Sequence, residues 1–370
     1  MSDAVMRPSA LPPLALLYGT RPQVIKASVL AAALAPHWDV LTVDTGQHYD
    51  YALNALLYAQ LGVRPPDVCL DVGSGDQATQ TAHVLTRAAE VLSGRGARRP
   101  CAAVVIGDTN STLGCALAAA KLRIPVVHVE AGLRCHDPLM AEEINRRAVD
   151  AISAVLCAPS DAAAARLRTE GAPGVVRRTG DVARDALLRA LPRAAAASDA
   201  GGWPLAAGAP FVFATLHRAE LVDDEARLAA AVDQLGRLPL PVVFAAHPRT
   251  RAALAAAGVA PPAGVHLIPP LGYLEAIAAV RDAAAVVTDS GGLQREAYWL
   301  GVPCVTVRAE TEWEETVALG ANRLLAVDRV AELPAAVAAA VAGGAGSWDR
   351  DAYGDGSAAA QVVDAVAGLR

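Results

Sequence analysis

The chain has 370 residues and a net charge of −6, from 38 acidic and 32 basic side chains with no long block of either sign. This argues against an extended nucleic-acid surface, which needs clustered cations to displace counterions. Hydrophobic residues reach 54% but aromatics only 4%, so Val, Leu and Ala are expected to build the cores; the Ala-rich runs are too short to span a membrane and the N-terminus lacks a secretory pattern, which reads as cytoplasmic.

In chain order, short apolar runs at 14–18, 40–43, 102–106, 126–129, 155–158, 211–214, 242–245, 286–288 and 304–307 alternate with helical stretches. Apolar strands alternating with helices indicate parallel sheets covered on both faces, so the fold class is α/β. A boundary falls around 179–185, before an Ala-, Gly- and Pro-rich stretch at 191–210 that reads as a helix plus a variable loop. Two Rossmann-like, doubly wound domains facing across a cleft are expected, at 1–180 and 181–354. The six cysteines, Cys69, Cys101, Cys115, Cys135, Cys157 and Cys304, lack CxxC spacing and read as reduced core residues, not disulfides or zinc ligands.

Polar and glycine residues follow nearly every strand, where ligands bind in open α/β sheets. Gly19-Thr20-Arg21-Pro22-Gln23 opens a helix, with Arg21 and Lys26 suited to a diphosphate at the mouth of the cleft. His48 follows the second strand as a ligand or loop-capping group. Asp108 and Glu130 end successive strands, and the helix carrying Glu142, Glu143, Asn145, Arg146 and Arg147 comes next. Carboxylates beside arginines suit proton transfer near an anionic substrate, although a salt-bridge network needs the same residue types. His217, in the HRAE cluster, is expected to face these carboxylates, while His247 with Arg249 is a weaker candidate. Last comes Thr288-Asp289-Ser290-Gly291-Gly292, where a strand runs into a helix whose first residues lack Cβ. Backbone N–H groups there approach an anion closely, and Glu296 further along suits ribose hydroxyls, so the segment reads as a nucleotide diphosphate site.

The ordered set GTRPQVIK, TGQH, GDTNSTL, HVEAGLR, EEINR, HRAE, TDSGGLQREA and Tyr353-Gly354-Asp355-Gly356 resembles the non-hydrolysing UDP-N-acetylglucosamine 2-epimerases from Gly19 to Gly356. The resemblance implies a glycosyltransferase-B-like fold, a C-terminal helix (355–370) returning to the first domain, and a homodimer. It implies UDP held by Ser290, Gly291, Gly292 and Glu296, with Arg21, Lys26 and Arg146 as basic site residues. Asp108, Glu130, Glu142 and His217 match the family's catalytic set. The reaction implied is epimerisation at C2 by loss of UDP to a bound 2-acetamidoglucal and its re-addition, with UDP-N-acetylglucosamine as substrate and no metal or nicotinamide cofactor. Two departures bear on the sugar: the common GHRRE reads LHRAE, and TERPE reads Thr311-Glu312-Trp313-Glu314-Glu315. Both look like a branch acting on UDP-2,3-diacetamido-glucuronic acid. A hydrolysing epimerase, a glycosyltransferase of like architecture and a non-enzymatic nucleotide-sugar binder are the competing readings.

Overall fold

The computed structural model describes residues 11–46, 57–94, 98–197, 203–344 and 346–369. The chain divides into two compact units, residues 1–186 with 353–370, and residues 187–352. His48 lies outside the described residues.

The first unit is built from β1 (Pro13–Tyr18), α1 (Arg21–Leu34), β2 (Asp39–Asp44), β3 (Val68–Cys69), α2 (Gln77–Leu92), β4 (Ala103–Ile106) and α3 (Asn110–Lys121). It continues through β5 (Val126–Val129), α4 (Ala141–Ile152), β6 (Val155–Ala158), α5 (Asp161–Thr169), β7 (Val175–Arg178) and the start of α6 (Val182–Ala197). Its sheet has the order β3-β2-β1-β4-β5-β6-β7, and every pairing is parallel. The central strands are apolar throughout: Leu14 to Leu17 and Ala103 to Ile106 are at most 1% exposed. Each such Leu, Ile or Val contributes about 1.5–3 kcal/mol by leaving water.

The second unit repeats the plan with β8 (Val212–Thr215), α7 (Ala219–Val222), α8 (Glu225–Leu235), β9 (Val242–Ala245), α9 (Pro248–Ala256), β10 (Val265–Ile268) and α10 (Tyr273–Asp282). Then follow β11 (Ala285–Thr288), α11 (Gly291–Leu300), β12 (Cys304–Thr306), α12 (Glu314–Ala318), β13 (Asn322–Leu324) and α13 (Leu333–Ala342). The order β10-β9-β8-β11-β12-β13 is again wholly parallel. In both sheets the winding reverses between the first and fourth strands, β1/β4 and β8/β11. That reversal opens a crevice at the carboxyl ends of the strands, which is where such folds bind ligands.

The chain then returns to the first unit. Asp181 N–H bonds the Tyr353 carbonyl at 2.8 Å, Arg184 bonds the Gly354 carbonyl, and Asp185 accepts the N–H groups of Ala358 and Ala359 at the start of α14 (Ala358–Ala367).

Four strands were not legible as apolar runs: β3, β7, β10 and β13. All four are sheet edges. An edge strand is flanked on one side only and tolerates polar side chains, as in Val175–Arg178, whose residues are mostly exposed. The stretch read as a helix plus a variable loop opens on the end of α6, which runs to Ala197 with Pro192 inside it. Among the cysteines, four are buried, whereas Cys69 and Cys101 are exposed; all six are free thiols.

Candidate active site

At the β1/β4 switch point, two loops are tied together by Gln23. Its Oε1 accepts the N–H groups of Gly19 (2.8 Å) and Thr20 (3.2 Å), while Nε2 donates to the Ile106 carbonyl (2.6 Å) and Thr112 Oγ1 (2.9 Å). Gly19 has to be glycine: a Cβ would lie 1.9 Å from Thr45 Oγ1 and 2.3 Å from Ser111 Oγ. The seam holds α1 beside the exit of β4.

On that frame sit the acidic residues. Glu130, directly after β5, accepts from Lys26 Nζ at 2.6 Å, with both side chains almost fully buried. Lys26 is therefore committed to a carboxylate and does not stand open at a mouth. Glu130 has φ +71, a left-handed conformation costing a residue with Cβ about 1–2 kcal/mol. Gly107, with φ +69, gives the carboxylate room, since a Cβ there would come within 3.2 Å of Glu130 Oε2.

Asp108, directly after Gly107, pairs with Arg146 of α4 and is 29% exposed. Asn145 on the same helix donates to the Asp108 carbonyl at 2.9 Å. Arg146 is fixed by Glu143, which is wholly buried and also meets Arg147 Nε at 2.8 Å and the Cys135 N–H at 2.9 Å. A pocket of about 250 Å³ opens here, lined by Gln77, Gln80, Asp108, Asn110, Glu142 and Asn145 among others. Glu142 is exposed at the first turn of α4, and Arg21 is half-buried at the first position of α1. The structure thus gathers Lys26, Asp108, Glu130 and Arg146 into two ion pairs at neighbouring strand ends.

In the second unit the corresponding crevice lies between β8 and β11. Asp289 is 1% exposed, accepts the N–H groups of His217 (2.7 Å) and Arg218 (2.8 Å), and lies 2.9 Å from His217 Nδ1. Burial by itself pushes the Asp289 carboxyl up, but the hydrogen bond and charge of His217 and the backbone N–H donors outweigh it and hold the group below the ordinary carboxylate range. The His217 ring is 43% exposed and is oriented by this carboxylate. Ser290 caps α11 by accepting from Leu293 N–H at 3.5 Å, and the first intrahelical bond runs from Gln294 N–H to the Ser290 carbonyl. Gly291 and Gly292 occupy the turn whose N–H groups precede that ladder. Glu296 is half-buried on the same helix.

The altered TEWEE segment packs beside this helix start. Glu312 pairs with Arg308 at 3.0 Å, and the Arg295 guanidinium lies 3.7 Å from the Trp313 ring centroid. His247 caps α9, accepting from Arg249 N–H, and Arg249 pairs with Asp223.

The sequence profile of UDP-N-acetylglucosamine 2-epimerase matches residues 32–367. The chain belongs to this epimerase family. It is 39% identical over 362 residues to the UDP-2,3-diacetamido-2,3-dideoxy-D-glucuronate 2-epimerase of Pseudomonas aeruginosa, covering 95% of this chain and 99% of that protein. It is 37% identical to a UDP-N-acetylglucosamine 2-epimerase homolog of Methanococcus maripaludis, over 84% of this chain and 87% of the relative. The crystal structure of Methanocaldococcus jannaschii UDP-GlcNAc 2-epimerase in complex with UDP-GlcNAc and UDP superposes with a TM-score of 0.85 at 34% identity, covering 96% of this chain and 99% of that one. The epimerase fold is accordingly glycosyltransferase-B-like, with two parallel sheets flanked by helices.

The sequence pattern did not single out Gln23 or Asp289 as groups that position the others, and it named Glu143 only as one member of the carboxylate and arginine cluster whose ion pairs the structure shows. Asp289 left a visible signal, a carboxylate directly before the capping Ser290. Gln23 left none, because its partners lie far away in sequence, whereas Glu143 carried the i+3 and i+4 spacing to Arg146 and Arg147 that places all three on one helix face. Among the described residues, no three His, Cys, Asp or Glu side chains form a metal cage, and no helix is long and apolar enough to cross a membrane.

Proposed function

We propose that this chain inverts C2 of a UDP-2-acetamido sugar without hydrolysing it. The supporting observation is the pair of carboxylates at adjacent strand ends, Asp108 and Glu130, each held by its own cation. The C2 hydrogen of such a sugar is not acidic enough for simple exchange. Breaking the C1–O bond as a carboxylate removes that proton yields UDP and a bound 2-acetamidoglucal. Protonation from the opposite face and return of UDP to C1 give the epimer. Two carboxylates allow a different donor on each face, and Glu142 is a third candidate. Ser290, Gly291 and Gly292 take the diphosphate at the α11 N-terminus, where the helix dipole stabilises the departing charge. Glu296 takes the ribose, Arg21 at the start of α1 is assigned to the diphosphate, and His217 serves the leaving phosphate.

The sugar favoured is the 2,3-diacetamido-glucuronate over N-acetylglucosamine itself. Support comes from the 39% identity to the Pseudomonas aeruginosa enzyme over nearly the whole chain, together with the LHRAE and TEWEE departures. A cytoplasmic homodimer completes the proposal and is checked by light scattering. The deciding experiment is incubation with a panel of UDP-2-acetamido sugars, UDP-2,3-diacetamido-glucuronate and UDP-N-acetylglucosamine among them, in deuterated water. Intact UDP-sugar labelled at C2 is expected, whereas free sugar with stoichiometric UDP, or no label at all, rejects the reading.

A further inference from the structure

His128 takes no part in the steps above. It lies on β5, two residues before Glu130, and is wholly buried. Both ring nitrogens meet acceptors: Nε2 is 2.8 Å from the Gly107 carbonyl, and Nδ1 is 2.7 Å from Asp150 Oδ1 on α4. A carbonyl can only accept, so Nε2 carries a hydrogen. Asp150 in turn receives the Gly132 N–H (3.2 Å) and lies 2.8 Å from Arg134 Nη1, both through Oδ2. Burial would push the Asp150 carboxyl up, but the charges and hydrogen bonds of His128 and Arg134 outweigh it and hold the group below the ordinary range. The Gly132 N–H and the Arg134 guanidinium, both donors to Oδ2, favour the ionised carboxylate independently of the His128 ring, and an ionised Asp150 can only accept at Oδ1, so Nδ1 also carries a hydrogen. The remaining charges of the cluster are Glu143 and Glu170, which both meet Arg134.

The far end of this chain of contacts is the turn beneath the carboxylates. Gly107 is held on both sides by β5, its N–H by the Val129 carbonyl at 2.9 Å and its carbonyl by the His128 ring. That carbonyl belongs to the peptide group whose N–H is Asp108's, so its orientation sets how Asp108 leaves the strand. The same glycine forms the close wall beside Glu130 Oε2. One side chain therefore fixes the backbone under both groups.

We propose that His128 is a positioning residue of the epimerase, a buried imidazolium clamped between Asp150 and the Gly107 carbonyl, which holds Asp108 and Glu130 in register for proton transfer. An ordinary core histidine needs only one ring hydrogen and leaves turnover untouched. The inference rests on the roles proposed for Asp108 and Glu130, and its test separates the two.

Nitrogen-15 labelling of the imidazoles, read by NMR on the substrate-free wild type at neutral pH, is expected to show both His128 nitrogens bonded to hydrogen. His128→Gln has one donor nitrogen and an acceptor oxygen in place of two donor nitrogens, so it cannot donate to both Asp150 and the Gly107 carbonyl as the ring does, and its C2 exchange is expected to slow by on the order of 10- to 100-fold, the scale of an ångström-level misplacement. Its UDP affinity should stay within about twofold of wild type, because positioning acts on kcat and not on ground-state binding. A ring with a single hydrogen in the wild type overturns the proposal, even if the variant fails to fold. So does a folded His128→Gln with wild-type exchange. A wild type that exchanges no C2 hydrogen with any UDP-2-acetamido sugar of the panel, the 2,3-diacetamido-glucuronate included, overturns the functional reading instead, and the ring signals, read without substrate, still decide the protonation of His128.

Discussion

The two units share one strand order and differ in what they place at the reversal of winding. Beside β4, the first unit sets buried or half-buried charges in pairs: Lys26 with Glu130, Arg146 with Asp108, Arg134 with Asp150. Beside β11, the second unit sets a helix start of Ser290, Gly291 and Gly292, with the His217–Asp289 pair across the crevice. Charged side chains held against one another can exchange protons at defined positions, whereas backbone N–H groups cannot titrate and serve as a constant anion site. On the proposed function, the same topology serves as a reactive surface in one copy and a binding surface in the other.

If that division holds, changes in the first unit alter stability or turnover, and changes in the second alter UDP affinity. The largest effect is expected from Lys26→Met, which leaves Glu130 buried without its cation and should cost roughly 3–5 kcal/mol in urea denaturation; adding Glu130→Gln should recover part of it. A cost below about 1 kcal/mol would mean that the pair behaves as a solvated surface bridge. Asp108→Asn and Glu130→Gln should each lower C2 exchange by about 100-fold or more, with UDP binding retained in calorimetry. Loss of UDP binding in either variant would blur the comparison at its root.

Gly292→Ala offers the sharpest test of the other half. An added Cβ meets nothing closer than Ser290 Oγ at 3.8 Å, so folding should be unaffected, yet the methyl group would stand where a phosphate approaches. UDP affinity is expected to fall about tenfold, or 1.4 kcal/mol. Unchanged affinity would remove the diphosphate from this helix start. Glu296→Ala should weaken UDP by a similar or smaller factor through the lost ribose contact.

The smallest effect concerns acid. Asp150 and Asp289 both titrate below the ordinary 3.8. The stability they contribute is therefore complete above the unfolded value and is lost as pH falls through the lower, folded values. Melting curves between neutral pH and about pH 3 should show that loss, and Asp289→Asn should flatten part of it. An identical acid limb in the variant would mean that Asp289 gains nothing from folding.

Apolar strand runs and glycine-bearing helix starts are local signals, and they were enough for the α/β class, both halves and the placement of Asp108, Glu130, His217 and Ser290 at strand ends. Local patterning also has a limit, seen in the four edge strands, whose one-sided setting relaxes the apolar rule that made the central strands readable. Whether Lys26 faced solvent or a carboxylate 104 positions away could not be read along the chain, because pairing depends on which strand ends the sheet brings together. The same holds for Gln23, which bonds across 83 and 89 positions, and for His128, whose two acceptors come from the turn after β4 and from α4. Sequence by itself determined the central strands, the helix starts and the residue types at their ends; the tertiary structure alone decided the edge strands and which charges meet, since burial makes an unpaired charge costly and only the folded neighbourhood supplies its partner.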